Sequence, residues 1–533
     1  MIETEVAIIG CGPVGALMAN ILASRDIRTI VLERDPSIYK LPRAVGMDDE
    51  VMRAFQSQGL ESTYTENVAP LYGMDLLRGN RRLLRRVSTE HEPRTLGHPV
   101  LCLFHQPTLE KNIRRGFERY PDTLDVRLGV DVKAIRDLGE HIELDTVNGK
   151  TGEEETIRAT YLLGCDGGRS LVRKTFGIEH EDLGLHQPWV VVDAIMKRHI
   201  ENSGYCEQMC DPARPGTFVP TPYPRNRWEF MLQPGDNHED AVKPSFLEKR
   251  IMPWAAPEEY EVERAAVYTF HAVVAKSWRT GRTGNVLLLG DAAHQTPPFL
   301  GQGMCAGIRD AFNLAWKLEM VLRGHAAPDL LDTYQSERRE HVHKVIALAV
   351  RIGTIIQSSS VIKSFLVNAS MVIAERLRID MPMKSVKEMP LGEGFYSPTH
   401  PPKKRDRCPF PQPTVKIPGG KTCLMDECLG GAFTILSRVG MEADQSEVQI
   451  DPLVEHLRFR HAEPLDANGS ANAIIDIEGV LGKWLDDHQC DAVLLRPDRQ
   501  PFGLYRGNQA RYEIMVADLK KALSYSRETV EAH

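Results

Sequence analysis

The sequence predicts an α/β fold in which a Rossmann-like nucleotide-binding domain carries an inserted, mainly antiparallel sheet and is followed by a small α/β domain. The stretch "VAIIGCGPVGALMANILASRDIRTIVLER", residues 6–34, has the order strand, glycine-rich turn, helix, strand, which is a βαβ unit. Alternating apolar residues return at 189–196, 227–232 and 265–274 between turns rich in proline and glycine, a pattern typical of antiparallel strands. At 533 residues the chain is too long for one hydrophobic core, so several domains are expected.

Changes in composition divide the chain into five expected segments. From residue 309 to about residue 379, apolar residues recur at three- and four-residue spacing, which predicts helices. The stretch "YSPTHPPKKRDRCPFPQP" is dense in proline and basic residues and is interpreted as a linker. The expected segments are 1–180, the first part of the nucleotide-binding domain; 181–275, a substrate-binding sheet; 276–395, the second part of that domain with the helical region; 396–413, the linker; and 414–533, the C-terminal domain.

Charge and cysteine content argue against several classes of function. The 65 basic and 73 acidic residues give a net charge of −8, which disfavours nucleic-acid binding as the main task. No apolar run reaches the ~18 residues of a membrane helix, and the chain starts without the charged region of a signal peptide, so a cytoplasmic protein without a membrane span is expected. Neither close cysteine pair, Cys206/Cys210 nor Cys423/Cys428, has the partners of a zinc site, so no metal is predicted.

The glycine-rich turn "GCGPVG" has the spacing of a dinucleotide-binding loop. Gly10 permits the tight turn, Gly12 lets the backbone approach a pyrophosphate, and Gly15 lets the helix pack on the strand. The helix N-terminus supplies free N–H groups for the phosphates. Glu33 lies eighteen residues after Gly15, at the end of the second strand, where a carboxylate can accept ribose hydroxyls. By itself this motif does not separate NAD from FAD.

Two later stretches repeat the order of strand, acidic residue, glycine turn and helix. "GNVLLLGDAAH" places Asp291 at the end of a buried strand, followed by "PPFLGQG" and a helix near Ala306. "LLGCDGGRSLVRKTFG" does the same at Asp166. An extended dinucleotide that reaches through the domain explains why nucleotide motifs lie about 280 residues apart, and this favours FAD.

In this order the three motifs resemble those of the single-component flavin-dependent aromatic hydroxylases, which share the fold of p-hydroxybenzoate hydroxylase. The resemblance covers roughly residues 4–350. It implies bound FAD and NAD(P)H as a transient co-substrate, and "PRAVG" and "HQPTLE" resemble segments whose Arg and Gln touch the cofactor. The expected FAD-binding residues are Gly10, Gly12, Gly15, Glu33, Arg34, Arg43, Gln106, Asp166, Gly167, Gly290, Asp291, Pro298, Gly301, Gly303 and Met304.

Within that family, "PRAVGMDDE", "RWEFMLQPGD" and "LDTYQSERREH" are most similar to the 3-(3-hydroxyphenyl)propionate hydroxylase group. "LGGAFTILSR" and "VLLRPDRQPFG" resemble the thioredoxin-like tail of phenol hydroxylase relatives, which implies a structural tail because no CxxC is present. Two positions depart from the family pattern. Cys305 stands where many relatives carry Asn, and Val45 stands where some phenol-hydroxylating relatives carry an Asp or His base.

The resemblance implies hydroxylation of a monocyclic phenolic compound through a C4a-hydroperoxyflavin, with NAD(P)H and O₂, in aromatic catabolism. A monomer or homodimer is expected. Two alternatives stay open: a halogenase or reductase with the same fold, although the Trp-x-Trp-x-Ile-Pro signature of halogenases is absent, and a flavin-bearing interaction module without catalytic activity.

Asp48 and His271 are the candidate groups for deprotonating or orienting the phenol. Asp48 follows the segment of Arg43, but it also precedes "EVMRAFQSQG", where it would cap a helix. His271 shares one strand face with Val267 and Thr269 by period two and could point into a pocket between the domains. A hydrogen-bonded core histidine is the alternative interpretation.

Overall fold

A computed structural model describes residues 2–528 except residues 202, 358–360, 378, 380–384, 439–450 and 461–472. The first part of the chain contains β1 (Ile2–Ile9), α1 (Pro13–Ala23), β2 (Thr29–Glu33), β3 (Gly46–Asp48), α2 (Asp49–Gln56), α3 (Ser62–Thr65), β4 (Val68–Pro70), β5 (Gly73–Leu77), β6 (Leu83–Ser88), β7 (Leu101–Phe104), α4 (Gln106–Arg115), β8 (Leu124–Leu128), β9 (Val130–Asp137), β10 (Ile142–Asn148), β11 (Glu154–Gly164) and α5 (Leu171–Thr175). The inserted part contains β12 (His180–Met196), β13 (Tyr205–Met209), β14 (Gly216–Val219), β15 (Arg225–Met231), α6 (Pro244–Ile251) and β16 (Tyr260–Ala275).

The remaining elements follow the inserted part. The next region contains β17 (Arg279–Thr280), β18 (Val286–Leu288), β19 (His294–Gln295), α7 (Gly303–Leu322), α8 (Asp332–Ile356) and α9 (Val361–Arg376). The C-terminal region contains β20 (Thr414–Lys416), β21 (Thr422–Leu424), β22 (Phe433–Arg438), β23 (Val454–Arg460), β24 (Ala473–Asp476), α10 (Val480–Asp487), β25 (Ala492–Leu495), β26 (Pro501–Tyr505) and α11 (Tyr512–Glu528). None of the helices in the described ranges is both long and apolar enough to cross a membrane.

The first sheet has the order β17-β18-β11-β1-β2-β8, and the five strands from β18 to β8 run parallel. Its central strands β1, β2 and β18 are nearly continuous runs of buried apolar residues, as expected for a sheet that is covered on both faces. Helix α1 packs against α4 and α7. This arrangement confirms the predicted Rossmann-like domain, and it brings the carboxyl ends of β18, β11, β1 and β2 to one edge.

The second sheet has eight strands in the order β19-β16-β12-β15-β14-β13-β5-β6. Most neighbours are antiparallel, as predicted, but β13 pairs with β5 in parallel. Strands β5 and β6 lie outside the expected segment 181–275, and they join the sheet through pairing between residues that are far apart in sequence, which local periodicity does not reveal. One face packs on α6 through Val190, Val192 and Trp228, so the opposite face is turned toward the nucleotide-binding domain.

The C-terminal region forms a mixed seven-stranded sheet in the order β21-β20-β24-β23-β22-β25-β26. Strands β22, β23 and β24 are parallel, and the other neighbours are antiparallel. This is an α/β domain, and its thioredoxin-like assignment stays a prediction. The segment 396–413 packs along the molecule, because Phe410 is buried and Arg53 donates a hydrogen bond to its carbonyl oxygen.

Buried ion pairs join this domain to the helices of the first domain. Glu337 on α8 accepts hydrogen bonds from Lys317 on α7, at 2.9 Å, and from both terminal nitrogens of Arg496, at 2.7 and 2.8 Å. Arg496 also pairs with Asp498. The side chains of Glu337, Lys317 and Arg496 are fully buried. The C-terminal domain is therefore joined to α7 and α8 by a buried network in which the pair between Arg496 and Glu337 crosses the interface.

Candidate functional site

The predicted nucleotide motifs lie at the ends of four neighbouring strands. The N–H of Gly10 donates to the carbonyl oxygen of Leu32, and the N–H of Cys165 donates to that of Ile9, both at 2.8 Å. These bonds hold adjacent turns together at the carboxyl edge of the sheet. In spatial order, Asp291 follows β18, Asp166 follows β11, Gly10 follows β1, and Glu33 ends β2.

The three glycines of the first turn differ in what requires them. A Cβ on Gly10 would lie 2.4 Å from the carbonyl oxygen of Cys165, and one on Gly15 would lie 2.1 Å from that of Gly10. Protein packing therefore explains both. A Cβ on Gly12 would meet no described atom within 4 Å, and its φ of −70° suits any residue. The open space beside Gly12, at the start of α1, fits the close approach of a pyrophosphate.

Glu33 is held against the glycine-rich turn. Its Oε2 accepts a hydrogen bond from the N–H of Cys11 at 2.8 Å, and its Oε1 accepts one from Asp35 at 2.9 Å. Each oxygen keeps acceptor capacity, which suits a ribose hydroxyl. Arg34 is exposed at the end of the strand.

Arg43 is positioned through its backbone by Gln106, the first residue of α4. The amide Oε1 of Gln106 accepts hydrogen bonds from the N–H groups of Arg43 and Ala44, at 2.8 and 2.7 Å. The amide nitrogen of Gln106 donates to Glu110 at 2.7 Å. Gln106 therefore supports the Arg43 loop, and direct contact of either residue with the cofactor stays a prediction.

Sequence reasoning missed a cation beside the glycine-rich turn. Arg114 donates from Nη2 to the carbonyl oxygen of Cys11 at 2.7 Å, and its Nε and Nη1 are buried without a hydrogen-bond partner among the described residues. Unsatisfied buried donors are rare, and these two fit an anionic phosphate. Gln106, Glu110 and Arg114 are spaced by four and so share one helix face, a spacing that could have revealed Arg114.

Asp166 carries a free acceptor. Its Oδ2 accepts hydrogen bonds from the N–H groups of Leu171 and Val172 at the start of α5. Its Oδ1 is buried without a partner among the described residues. Gly167 has a φ of +77°, and a Cβ there would meet no described atom within 4 Å. An accepting oxygen beside open space fits a hydroxyl of the cofactor.

The side chain of Asp291 is partly accessible to solvent. The surrounding protein nevertheless buries its carboxylate enough to weaken its hydration. This burial raises the pKa of Asp291, and the charges of His294 and Arg43 partly oppose the rise. The influence of Arg43 shows that the loop after β2 faces the turn after β18. Acidic groups and Arg43 thus line one cleft along the sheet edge.

A buried aspartate that the sequence did not reveal supports the Asp291 turn. Asp310 on α7 accepts hydrogen bonds from the N–H of Gly290 at 3.1 Å, from His294 Nε2 at 2.7 Å and from Arg338 Nε at 2.9 Å. Burial alone would raise the pKa of Asp310, but His294 and Arg338 lower it below the usual value. Asp310 therefore fixes the backbone of the turn as a buried anion.

The turn before α7 closes the cleft on the other side. Pro298 begins a short 3₁₀ turn, Gly301 has a φ of +64°, and α7 begins at Gly303. Within the described chain no side chain caps the first turn of α7, so its N–H groups stay available to an anion. Met304 is half-buried against the main core.

Asp48 is occupied by structural contacts. Its Oδ1 accepts a hydrogen bond from the N–H of Val51 at 3.2 Å and thereby caps α2. Its Oδ2 accepts from Arg309 at 2.6 Å and from Gln302 at 3.1 Å. These contacts favour the helix-cap interpretation, and a role of Asp48 in proton transfer stays a prediction.

His271 lies on the outer face of the second sheet, which differs from the expected position in the pocket. By alternation it shares the face of Val267, which packs toward α6, whereas Arg264 on the other face donates to the carbonyl oxygen of Pro42. The Nδ1 atoms of His271 and His186 are 2.7 Å apart. This position argues against a role of His271 in the pocket, and that role stays a prediction, because period two does not say which of the two faces meets the other domain.

Between the inner face of the second sheet and the loop after Arg43 lies an apolar cluster, which is the candidate substrate pocket. Arg227 on this face donates to the carbonyl oxygens of Pro42 and Arg43, at 2.8 and 2.7 Å. Farther along, Trp189 contacts the rings of Phe270 and Phe299, the latter in the turn before α7. The apolar side chains between the loop and the sheet are Val45, Leu71, Met74, Leu103, Cys206 and Val219.

Nucleotide motifs at one edge of a parallel sheet, with a second, mainly antiparallel sheet docked beside them, are the arrangement of FAD-dependent flavoprotein hydroxylases. A family model described as "FAD binding domain" matches residues 3–349, and one described as "HcaD C-terminal domain" matches residues 408–521. The chain belongs to the FAD binding domain family. The predicted family is thereby confirmed, and the protein is an FAD-dependent aromatic hydroxylase that uses NAD(P)H.

Similarity to named relatives extends over nearly the whole chain. The sequence is 33% identical, over 94% of this chain and 92% of the relative, to a probable NADH-specific resorcinol 4-hydroxylase of Rhodococcus jostii strain RHA1. It is 32% identical, over 93% of this chain and 88% of the relative, to a 3-(3-hydroxy-phenyl)propionate/3-hydroxycinnamic acid hydroxylase of Mycobacterium sp. strain JLS.

Two solved structures show the same fold. The flavin-dependent monooxygenase PieE in complex with FAD and substrate matches with a TM-score of 0.81 at 19% identity over 99% of both chains. Aklavinone-11 hydroxylase with FAD and aklavinone matches with a TM-score of 0.77 at 23% identity, over 98% of this chain and 99% of the other.

Replacing Asp291 with alanine is expected to weaken FAD retention by about 1.5–3 kcal/mol, because a cofactor hydroxyl loses a charged acceptor. FAD content after gel filtration and a titration of the apoprotein with FAD measure this. Asp332→Ala is the control, since Asp332 is exposed and pairs with Arg279 away from the cleft. Equal FAD affinity of the two variants would contradict the assignment of Asp291.

Proposed function

We propose that the protein hydroxylates a monocyclic phenolic compound with NADH and O₂ in aromatic catabolism. The single observation that carries this proposal is that the loop of Arg43, beside the nucleotide motifs, is bonded to Arg227 on the inner face of the second sheet, with an apolar cluster between them. The comparisons support this proposal. Two relatives that are similar over more than nine-tenths of this chain are named for phenolic substrates, and one of them is named as NADH-specific.

The cleft residues are proposed to hold FAD by its parts. The N–H groups at Gly12 and the guanidinium of Arg114 would bind the pyrophosphate, and Glu33 would accept a ribose hydroxyl. Asp166 and Asp291 would accept further hydroxyls, and the first turn of α7 would face the flavin end. When bound, FAD takes reducing equivalents from NAD(P)H and delivers one oxygen atom from O₂ to the ring.

The protein's own contribution is to position the ring and to exclude water. Val45, Leu103 and Val219 pack between the loop and the sheet, so an aromatic ring would bind beside the Arg43 loop in an apolar environment. Ile356 of α8 and Met371 of α9 cluster with Leu76 of β5, so these helices cover another part of the same sheet. A dry pocket of this kind limits the unproductive release of peroxide.

A panel of substituted phenols tests the proposal. Purified protein with FAD and NADH is expected to show NADH oxidation that a subset of phenols stimulates, together with one hydroxylated product per NADH. A non-catalytic flavin module would show no stimulation by any phenol, and a halogenase would form product only with added halide. We also propose that the enzyme is cytoplasmic. We propose that it is a monomer or a homodimer, and analytical ultracentrifugation measures this oligomeric state.

The cysteine pair of the C-terminal domain is expected to play no part in the reaction. The sulfur atoms of Cys423 and Cys428 lie 3.6 Å apart. Burial, and to a lesser extent the neighbouring thiol of Cys423, raise the pKa of Cys428 to about 12. Such a thiol is a poor redox nucleophile. Replacing both cysteines with serine should leave product formed per bound FAD unchanged. A collapse of hydroxylation with intact folding and FAD content would make the domain a redox participant.

A further inference from the structure

We propose that Glu229 is a catalytic residue of the hydroxylation, whose carboxylate binds the phenol hydroxyl of the substrate and accepts its proton. This inference rests on the proposed function and assigns a base at a position that the sequence did not single out. It stands on the direction in which Glu229 faces, its lack of a hydrogen-bond donor among the described residues and its surroundings.

Glu229 faces the pocket. It lies in the middle of β15, paired with Val191 of β12 and Thr217 of β14. Residues two apart on a strand share a face, and Arg227 on that face donates to the carbonyl oxygens of Pro42 and Arg43. The carboxylate of Glu229 therefore points to the same side as the loop expected to contact the flavin.

Glu229 belongs to the apolar part of the pocket. On β14 it pairs with Thr217, which lies two residues from Val219 on the same face, and Val219 packs with Cys206. Cys206 in turn packs with Val45 and Val219. A phenol ring held by this cluster would present its hydroxyl within reach of Glu229.

The carboxylate has a distant ion-pair contact with Arg227 but no hydrogen-bond donor among the described residues. Its Oε1 is 3.8 Å from Nη1 of Arg227, and it accepts no hydrogen bond from any residue in the described part of the chain, although its side chain is only 12% exposed. Arg227 is already satisfied by two hydrogen bonds to Asp193, at 2.7 and 3.1 Å, and by the two loop carbonyls. A nearly buried carboxylate without donors is costly, so a donor from the substrate fits this position.

The surroundings of Glu229 suit proton transfer. Burial raises the pKa of Glu229, Arg227 partly opposes this, and Asp193 adds to it. The charged and titratable groups facing it are Arg227 from its own strand, Asp193 from β12 and Cys206 from β13. A raised pKa brings the carboxyl nearer to that of a phenol, which makes it a better base for this proton.

The proposed step is a simple proton transfer. The O–H bond of the phenol breaks, its proton moves to an oxygen of Glu229, and the electron pair stays on the phenolate oxygen. That charge enriches the ortho and para carbons of the ring for attack on the activated oxygen. The proton leaves to solvent through the opened pocket after the product is released, which restores the carboxylate.

Glu229→Gln tests this step, with Glu207→Gln as the matched control. Glu207 lies in β13 of the same sheet, and its side chain is held by Arg81 and Trp254 outside the pocket. At neutral pH, Glu229→Gln is expected to lower kcat for resorcinol by about 100-fold, the lower range for general acid–base catalysis, while FAD content stays unchanged. The control is expected to keep wild-type kcat.

Two further readouts separate proton transfer from a structural role. Across the phenol panel, the loss caused by Glu229→Gln should shrink as the pKa of the phenol falls, and activity should recover as the pH rises toward that pKa. Glu229→Asp should retain part of the activity. A loss that is the same for every phenol and every pH would overturn the proposal, and so would wild-type kcat in Glu229→Gln.

The wild-type result distinguishes failure of this inference from failure of the proposed function. If wild-type protein hydroxylates no phenol of the panel, the proposed function fails and Glu229 loses its role with it. If wild-type protein is productive and Glu229→Gln matches it, only the assignment of Glu229 fails. An ultraviolet difference spectrum of the bound phenol gives a second check, since wild-type protein should show phenolate formation at a pH where Glu229→Gln does not.

Discussion

Replacing Glu337 with glutamine is expected to lower the free energy of unfolding by about 3–5 kcal/mol, because the variant leaves buried cations without their partner. Glu337 receives hydrogen bonds from Lys317, Arg496, Asn313 and the N–H of Phe395. In the variant only Asp498 remains to balance Lys317 and Arg496. Urea denaturation, followed by fluorescence and by release of FAD, measures the effect.

Glu340→Gln is the matched control on the same helix. Its carboxylate pairs with Lys344 and Lys404 but is 33% exposed, and partly exposed pairs contribute about 0–1 kcal/mol. Equal stability of the Glu337 and Glu340 variants would contradict the view that the buried network anchors the C-terminal domain.

The same network predicts an acid dependence of stability. Burial alone would raise the pKa of Glu337, but Arg496 and Lys317 lower it to about 2, below its ordinary value of 4.5. A carboxyl whose pKa is depressed in the folded state contributes stability above its unfolded pKa and loses it as the pH falls. Stability of the wild type should therefore fall between about pH 4.5 and pH 2 by more than that of Glu337→Gln, as measured by denaturation at each pH.

Gly12→Val is expected to abolish FAD binding while the protein fold remains. The Cβ position of Gly12 faces open space, so the larger side chain meets no described protein atom there and occupies the room expected for the pyrophosphate. Overpacking of this kind costs up to about 3 kcal/mol. Taken from the free energy of FAD binding, this cost lowers the affinity for FAD by about 100-fold or more. Flavin absorbance near 450 nm measures retention, and a thermal melt of the apoprotein measures the fold.

Gly15→Ala gives the opposite pattern and serves as the contrast. Its Cβ would lie 2.1 Å from the carbonyl oxygen of Gly10, so β1 and α1 must move apart even without cofactor. This variant should melt at a lower temperature as apoprotein and lose FAD as well. If Gly12→Val retained FAD at wild-type affinity, the cofactor would approach the sheet elsewhere.

The amino-acid sequence alone determined the local units of the nucleotide-binding domain. Strand, turn and helix follow one another within about 30 residues around Gly10, and the requirement for glycine at Gly15 is set by a backbone contact in the same unit. Asp166 and Asp291 were found for the same reason, because each follows a buried apolar strand and precedes a helix. Family membership followed from the order of these motifs.

The sequence revealed less where a contact joins distant segments. Arg114 meets Cys11 across 103 residues, Asp310 meets Gly290 across 20 residues, and β5 pairs with β13. Periodicity reports which residues of one element share a face, but it does not report which other element that face meets. The proline-rich segment 396–413 shows the same limit, since its composition suits a linker and its burial depends on the domains that it contacts.

The identity of the candidate base was decided only by the tertiary structure. Period two correctly grouped His271 with Val267, but packing of Val267 toward α6 turns that face away from the cofactor loop. The inner face is the one that carries Arg227, whose bonds to the Arg43 loop fix the docking of the two domains, and it carries Glu229 as well. Sequence thus specified the nucleotide cleft because its motifs are local, whereas the substrate pocket forms only when two sheets meet, and its residues are defined by that contact.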